Sequence, residues 1–309
     1  MTGAAGFAGS HLVDALLTRV PLVAAWGHRG GSSTARAADA RVSWTLIDLL
    51  DREAVRCALA EIRPSVIYHC AGVAHVGEAW NAPARALRVN ALGTHHLLEG
   101  IRDTGLTCPV LVTASALVYR PSTQPLSEDD PIGPADPYGV SKVAQEMLAL
   151  RAQPAPVFVA RPFNHAGPRQ APSYSTSSFA RQIAEIEAGR SAPVLRVGNL
   201  ESRRDITDVR DTVAAYLAIV DRGAPARPYN VCSGHAYRVR DLLDVLVGLS
   251  RVSIAIEIDP SRLRPSDNPV VAGNRSRISS ETGWIPEIPI ERTLADLLNY
   301  WRSVASARP

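Results

Sequence analysis

The 309-residue chain has little cysteine, no strong excess of charge of either sign and no long hydrophobic run. Its four cysteines are scattered without a pair at metal-ligand spacing, which predicts reduced structural thiols and no metal site. The 33 basic and 30 acidic residues give a net charge of only +3, too balanced to favour nucleic-acid or membrane binding. No apolar run approaches the ~20 residues of a membrane span, and the amino terminus lacks the basic segment of a signal peptide. We therefore expect a cytoplasmic protein.

Short apolar segments alternate with amphipathic helices over the first half of the chain. The expected strands are "PLVAAW", "VSWTLIDL", "PSVIYHCAG", "CPVLVTASA" and "APVFVARPFN". The helices between them include "SHLVDALLTR", "DREAVRCALAEI", "PARALRVNALGTHHLLEGIRD" and "DPYGVSKVAQEMLALRAQ". This alternation predicts an α/β fold with a doubly wound parallel sheet of the Rossmann type, with helices on both faces.

The alternation loosens from about residue 165, and the last third of the chain is richer in proline and arginine. We expect a dinucleotide-binding domain over residues 1–163, with return segments from about 205–235. A smaller substrate-binding domain is expected over residues 164–309.

The chain opens with "MTGAAGFAGSH", which places Gly3, Gly6 and Gly9 at three-residue spacing. Glycines at this spacing allow a tight turn and a close approach to a pyrophosphate, and the helix that follows offers free N–H groups. The glycine spacing alone does not establish a cofactor site, because small residues are common where helices start. The first strand of such a sheet is buried on both faces, yet only Met1 and Thr2 precede the turn. We therefore expect that the first strand is missing and that the true start lies upstream.

A candidate catalytic set follows from two later segments. "YGVSK" places Tyr138 and Lys142 four residues apart on one face at the start of a helix. A nearby ammonium favours the phenolate, so the lysine is expected to lower the tyrosine pKa from its usual value of about 10. Ser115, at the end of "LVTAS", could bond a substrate carbonyl. The alternative is an ordinary helix with a solvated lysine, and the glycine turn and serine strand end upstream argue against it.

Together these segments resemble an extended short-chain dehydrogenase/reductase, of the NAD-dependent epimerase/dehydratase family that modifies nucleotide sugars. The matching segments, in the family's order, are "TGAAGFAGSHL", "DLLD", "VNALGT", "DPYGVSK", "RPFNHAGPRQ", "VGNLESRRDITDVRD" and "RPSD". Within the family, "FNHAGPRQ", "VGNLESRRD" and "LRPSD" are most similar to the branches of GDP-mannose 4,6-dehydratase and GDP-4-dehydro-6-deoxy-D-mannose reductase.

The resemblance implies a role for each matching residue. Tyr138 would be the acid/base, Lys142 would hold the nicotinamide ribose, and Ser115 would orient the carbonyl. The implied cofactor contacts are Gly3, Gly6, Phe7, Ala8, Gly9, Arg29, Asp48, Leu49, Ala71, Gly72, Asn90, Thr113, Tyr138, Lys142, Pro162 and His165. Asp48 and Leu49 would flank the adenine, and His165 would lie near the nicotinamide unless it is only a satisfied loop histidine.

The resemblance also implies that a sugar nucleotide is held by Asn164, Asn199, Arg204 and Arg264. Two guanidinium groups from separate segments suit a diphosphate, although either arginine alone could be a surface residue. The remaining candidates for metal ligands, His69, His75, His95 and His96, have no accompanying cysteine or carboxylate pattern, so we expect them to be structural.

The loop "GHRGGSS" after the second expected strand predicts a preference for NADP(H), with NAD(H) as an alternative. NAD enzymes place an acidic residue here to bond the ribose hydroxyls. Gly27 stands at that position, and Arg29 could pair with a 2′-phosphate unless it is a solvated loop residue.

The stretch "TASALVY" separates two reactions of the resembling family. Its dehydratases carry a glutamate two residues after the catalytic Ser/Thr, sometimes with an aspartate before it; Ala116 and Leu117 stand at those places. We therefore expect reduction of the C4 keto group of a GDP-4-dehydro-6-deoxyhexose. A nucleotide-sugar 4-epimerase or GDP-mannose 4,6-dehydratase is the alternative, and a non-catalytic NADP-binding protein a further one. The resemblance also implies a homodimer formed through helices at about 81–102 and 137–152.

Overall fold

The computed structural model describes residues 1–28, 39–263 and 268–307. The first half contains, in chain order, α1 (Phe7–Leu17), β1 (Val23–Gly27), β2 (Val42–Leu46), α2 (Arg52–Ile62), β3 (Ile67–His69), α3 (Val76–Asn81), α4 (Pro83–Leu87), α5 (Gly93–Asp103), β4 (Val110–Thr113), α6 (Pro137–Leu150) and β5 (Val157–Pro162).

The second half continues with β6 (Asn164–Ala166), α7 (Ser175–Glu187), β7 (Val194–Val197), β8 (Arg203–Asp208), α8 (Val209–Arg222), β9 (Pro228–Val231), β10 (Ala236–Arg238), α9 (Val239–Gly248), β11 (Ala255–Ile258), β12 (Val270–Val271), α10 (Ser276–Thr282) and α11 (Ile290–Ser306).

The main sheet is parallel throughout, as the alternating pattern predicts. β1 pairs with β2, and β3, β4, β5 and β9 pair in that order. Thr2 joins the two sets, because it forms parallel bridges to both Trp26 and His69. It therefore lies between β1 and β3, where the central strand of such a sheet runs.

Helices cover both faces of this sheet, which confirms the expected α/β class. On one face, α1 and α8 bury Leu12 and Tyr216 in a common core. On the other face, α2 and α5 bury Leu59 and Leu97 in a second core. Both faces are apolar because parallel strands between two helical layers have no solvent-facing side.

The second half builds a smaller unit around β8. This strand is paired with β6, β10 and β12, and a separate parallel pair joins β7 to β11. Its core is formed by α7, α9 and α11, with Ile183, Leu243 and Leu297 fully buried. The segment comprising α8 and β9 instead packs into the first unit. The expected domain limits of 1–163 and 164–309 stay a prediction.

The stretch read from sequence as one long helix is three segments. Pro83 begins α4 at its first turn, and a single π-helical turn over Arg88–Leu92 leads into α5. Such turns insert one residue into a helix and occur often at functional sites. The buried residue of this turn is Asn90, whose side chain is completely buried.

Candidate active site

The glycine turn has the geometry that a pyrophosphate site requires. Gly3 has a φ of +67°, and a Cβ there would lie 2.6 Å from the backbone nitrogen of Ala71. A Cβ on Gly9 would overlap the carbonyl of Gly3, so neither position accepts a larger residue. Gly6 caps α1 without a side-chain hydrogen bond in the described structure, which leaves N–H groups at the helix start for an anion. The turn therefore fits a dinucleotide.

Asp48 and Leu49, the predicted adenine contacts, follow the end of β2. Asp48 is exposed, and its carboxylate accepts a hydrogen bond from the Leu50 backbone at 2.9 Å. The side chain of Leu49 is buried in the core, and its carbonyl accepts from His96 Nδ1 at 2.9 Å. The predicted adenine contact by Leu49 would thus come from its backbone or from the small exposed part of its side chain.

Asn90 has its side chain fully engaged with the protein. Its Oδ1 accepts from the Val73 backbone at 2.8 Å, and its Nδ2 donates to Val73 O at 3.1 Å and to Ser141 Oγ at 2.8 Å. A Cβ on Gly72 would lie 2.6 Å from Asn90 Oδ1. Asn90 therefore links the loop after β3 to α6 through hydrogen bonds and holds this loop in place. It does so independently of any contact with a cofactor.

The start of α6 positions the two residues of the "YxxxK" pattern. Asp136 caps this helix by accepting from Gly139 N at 2.8 Å, and Pro137 occupies the first helical position. Tyr138 and Lys142 are 8% and 4% exposed. Lys142 Nζ lies 5.8 Å from the centre of the tyrosine ring.

Lys142 is anchored by two oxygen acceptors. Its Nζ donates to Thr113 O at 2.9 Å and to Gln145 Oε1 at 2.8 Å. Thr113 is itself held by a 3.1 Å bond from its hydroxyl to His69 O on the neighbouring strand. Because an ammonium has three donors, the described contacts leave one N–H of Lys142 for a bound ribose.

The predicted lowering of the tyrosine pKa by Lys142 is wrong for this structure. Burial raises the pKa of Tyr138 well above its usual value, and a hydrogen bond with Ser115 offsets only part of this effect. Burial also lowers the pKa of Lys142 to about 8. Sequence spacing indicated that the two groups are close, but it could not show that both are withdrawn from water, and here desolvation is the larger effect.

Ser115 lies directly beside this pair. It follows β4, is 6% exposed, and its hydroxyl oxygen accepts from Leu117 N at 3.1 Å. That bond caps a short helical turn over Ala116–Val118. The structure therefore brings the serine, tyrosine and lysine of the predicted catalytic set together at one edge of the sheet.

Pro162 is the last residue of β5, and His165 lies in β6. The His165 ring stacks on Phe7 with ring centres 5.5 Å apart, and its Nδ1 lies 3.2 Å from Phe163 O. Burial lowers the pKa of His165, which favours the neutral ring. Phe7 and Ala8 are the first residues of α1, so His165 is adjacent to the glycine turn.

Two of the predicted substrate residues share a sheet face. Asn164 in β6 is in register with Ile206 in β8, and Arg204 lies two residues before Ile206. Side chains at alternate positions of a strand point to the same face. Arg204 Nη1 donates to Arg203 O at 2.9 Å. Asn199 is exposed and accepts from Glu201 N at 2.9 Å.

Two predicted contacts, Arg29 and Arg264, lie outside the described residues. Within the described ranges, no group of histidine, cysteine, aspartate and glutamate side chains is arranged to hold a metal ion. In those same ranges, no helix has both the length and the apolar character needed to cross a bilayer.

The sequence interpretation missed the buried residues whose hydrogen bonds hold Lys142 in place. Gln145, Thr94 and His69 are completely buried and hydrogen bonded to one another. Gln145 follows Lys142 at the i+3 spacing of a shared helix face, which was a usable signal. His69 and Thr94 come from other elements, and no local pattern connects them to the lysine.

Comparison with known proteins places the chain among nucleotide-sugar enzymes. The family model for GDP-mannose 4,6 dehydratase matches residues 1–297. GDP-6-deoxy-D-mannose reductase of Pseudomonas aeruginosa is 35% identical over 315 residues, which cover 98% of this chain and 96% of the relative. UDP-glucose 4-epimerase of Mycolicibacterium smegmatis is 28% identical over 312 residues, which cover 98% of both chains.

A solved structure supports the same conclusion. The structure of RMD from Pseudomonas aeruginosa complexed with NADPH superposes with a TM-score of 0.83 at 34% identity, covering 98% of this chain and 97% of that one. The match of the family model over nearly the whole chain, the parallel sheet and the glycine turn agree. The chain belongs to the GDP-mannose 4,6 dehydratase family.

Proposed function

We propose that the protein is an NADPH-dependent reductase of the C4 keto group of a GDP-4-dehydro-6-deoxyhexose. The observation that carries the proposal is the identity of the residues that follow β4 beside Tyr138. Ser115 is followed there by Ala116 and Leu117, neither of which can accept or donate a proton. Dehydration at C5 and C6 needs a further acid/base group at this edge, whereas reduction at C4 needs none.

The protonation state of Tyr138 supports the same direction of reaction. A bound nicotinamide supplies a hydride to the carbonyl carbon, and the oxygen must then receive a proton. Because burial raises the pKa of Tyr138, its phenol is protonated at neutral pH and is ready to donate. Ser115, hydrogen bonded to the same hydroxyl, can orient the carbonyl oxygen, and the Lys142 ammonium can stabilise negative charge that develops beside it.

The preference for NADPH rests on the end of β1 and on the relatives. Gly27 ends this strand, so no carboxylate stands at that position to repel a 2′-phosphate. Arg29, in the segment outside the described residues, is the proposed phosphate partner. The similar Pseudomonas aeruginosa structure is a complex with NADPH. Other similar structures, including a UDP-glucose 4-epimerase of Thermus thermophilus, are complexes with NAD, which supports NAD(H) as an alternative.

The substrate proposal extends to the second unit. Asn164, Arg204 and Asn199, with Arg264 from outside the described residues, would hold the sugar nucleotide. The GDP moiety is favoured over other nucleotides by the 35% identity to a GDP-6-deoxy-D-mannose reductase. No nucleic acid or membrane is part of the proposal.

A homodimer is part of the proposal because one helical layer carries several exposed large apolar side chains. The exposed large apolar side chains on α3, α4, the following π turn and α6 are Trp80, Leu87, Leu92, Val140, Met147 and Leu148. α3 and α4 both pack on α6, so these side chains belong to one helical layer. Apolar patches of this kind favour association. Sedimentation of the purified protein at micromolar concentration tests this proposal.

The cytoplasm is the proposed compartment. Cys57, Cys70, Cys108 and Cys232 are all free, and Cys57 is exposed. An exposed free thiol persists more readily in a reducing compartment than in an oxidising one.

The test is a product assay with purified protein. A GDP-4-dehydro-6-deoxyhexose with NADPH is expected to give the reduced sugar and one equivalent of NADP⁺. GDP-mannose is expected to remain unchanged. Steady formation of a 4-keto-6-deoxy sugar from GDP-mannose would falsify the reductase assignment. Conversion of a 4-hydroxy sugar nucleotide without net NADPH consumption would instead favour a 4-epimerase, the activity named for the Mycolicibacterium smegmatis relative.

A further inference from the structure

A continuous line of buried hydrogen bonds runs from Lys142 away from the catalytic edge. Lys142 Nζ donates to Gln145 Oε1 at 2.8 Å, and Gln145 Nε2 donates to Thr94 Oγ1 at 2.9 Å. The same hydroxyl oxygen lies 2.7 Å from His69 Nε2, and His69 Nδ1 lies 2.7 Å from Thr2 Oγ1. All five side chains are at most 4% exposed. They come from α6, α5, β3 and the amino terminus.

Proton accounting fixes the direction of every bond in this line. The Thr94 hydroxyl donates to Asn90 O at 2.7 Å, so its oxygen must accept from both Gln145 and His69. His69 therefore carries its proton on Nε2, and its Nδ1 accepts from Thr2. Burial lowers the pKa of His69 to about 3, which keeps the ring neutral and preserves this arrangement.

The fixed direction determines how the Gln145 amide is turned. Its NH₂ group must face Thr94, because the opposite orientation would place two lone-pair-bearing oxygens together. The amide oxygen consequently faces the ammonium of Lys142. If the amide were reversed, its NH₂ group would face the Lys142 ammonium, so two donors would meet. The buried ammonium would also lose an acceptor.

We propose that Gln145 is a positioning residue for Lys142: it holds the lysine nitrogen against Thr113 so that its remaining N–H points to the cofactor ribose. This inference rests on the proposed function only in that Lys142 contacts a bound dinucleotide. Thr94 and His69 act indirectly, because their hydrogen bonds keep the Gln145 amide in one orientation.

The experiment compares Gln145→Leu with Gln145→Glu, using NADPH binding as the first measurement. The leucine has a similar volume but no acceptor, so NADPH affinity is expected to fall about tenfold at pH 7. It should also move the alkaline decline of NADPH binding to lower pH by about one unit, since the buried ammonium loses an acceptor. The glutamate places a carboxylate beside the ammonium and should move the same decline to higher pH.

A matched control comes from α7. Gln182 is a partly buried glutamine whose amide bonds the backbone of Arg196, far from Lys142 in the fold. Gln182→Leu and Gln182→Glu are expected to leave the pH dependence of NADPH binding unchanged. A structural role for Gln145 would lower melting temperature in both Gln145 variants without shifting this pH dependence in opposite directions.

The outcomes separate this inference from the proposed reaction. If the wild-type protein binds NADPH but reduces no GDP-linked keto sugar, the binding profiles still test Gln145. Shifts of opposite sign in the two variants support the inference. Unshifted profiles, or shifts of the same sign, overturn it. Should Gln145→Leu fail to fold, a wild-type profile for folded Gln145→Glu overturns it as well.

Discussion

The catalytic edge and the substrate face of this molecule are held in different ways. Ser115, Tyr138 and Lys142 are buried and bonded to neighbouring groups that lie on several elements. On the substrate face, Asn164 is exposed and Arg204 half-buried, and the recorded bonds of Arg204 go to backbone carbonyls close to its own strand. The proposed catalytic groups are therefore buried and bonded within the fold, whereas the proposed substrate groups lie nearer to solvent on the strands of the second unit.

This difference predicts that substitutions in the two regions separate in kinetics. Changes at the catalytic edge should lower kcat, because those groups are proposed to act on the reacting atoms. Changes on the substrate face should raise KM, because they remove binding that is similar in the ground state and transition state.

The largest expected effect is that of Tyr138→Phe. The substitution removes the proton donor and leaves the ring, so kcat should fall about 1,000-fold while NADPH affinity changes less than about twofold. Steady-state kinetics and NADPH fluorescence titration measure the two quantities. Tyr300→Phe, in α11, is the control and should behave as wild type. Substantial turnover by Tyr138→Phe would contradict the assignment of the proton donor.

Arg204→Ala tests the substrate face. Arg204 is proposed to bond a phosphate of the substrate, so its removal should raise KM for the GDP sugar about tenfold to hundredfold, with little change in kcat. Arg203→Ala is a matched control, because it is the adjacent arginine on the opposite face of β8. Initial rates over a range of sugar concentrations measure the effect. Equal effects of the two substitutions, or a loss confined to kcat, would remove the proposed difference between the regions.

The pH dependence of the reaction tests how the catalytic edge is held. Burial lowers the pKa of Lys142 to about 8, so the side chain loses its charge as the pH rises through that value. The kcat/KM for reduction should therefore be level below pH 8 and decline above it, up to about tenfold per unit. In Lys142→Arg the charge persists, so this decline should disappear even if the plateau is lower. A profile that is level to pH 10 in the wild-type protein is incompatible with a functional role for this charge.

The same division explains how much could be predicted from the sequence. The parallel sheet, the glycine turn and the approach of Tyr138 to Lys142 depend on local spacing, and the structure shows all three. The predicted direction of the Tyr138 pKa shift is wrong, because the burial that raises this pKa depends on the whole fold. Arg161 and Glu146, a buried ion pair with Arg161 Nε donating to Glu146 at 2.9 Å, were missed for the same reason.

Two helices begin with the same type of aspartate N-cap, and only one of these helices carries proposed catalytic residues. Comparing the two caps tests the smallest expected effect. Asp136 caps α6 by accepting from Gly139 N at 2.8 Å, and Asp51 caps α2 by accepting from Ala54 N at 3.0 Å. Replacing either aspartate with alanine leaves helix N–H groups without their acceptor, and each change should cost about 1 kcal/mol of folding free energy. Urea unfolding of both variants measures this loss.

Only one of the two caps lies next to the chemistry. Tyr138 is the second residue of α6, so fraying of that first turn should displace its hydroxyl and lower kcat by about threefold to tenfold. The first turn of α2 carries none of the proposed catalytic residues, so Asp51→Ala should lose stability with an unchanged kcat. If the two variants lose equal stability and equal activity, the catalytic edge is no more sensitive to local order than the rest of the sheet. A loss of kcat confined to Asp136→Ala would show that the chemistry depends on how the first turn of α6 is fixed.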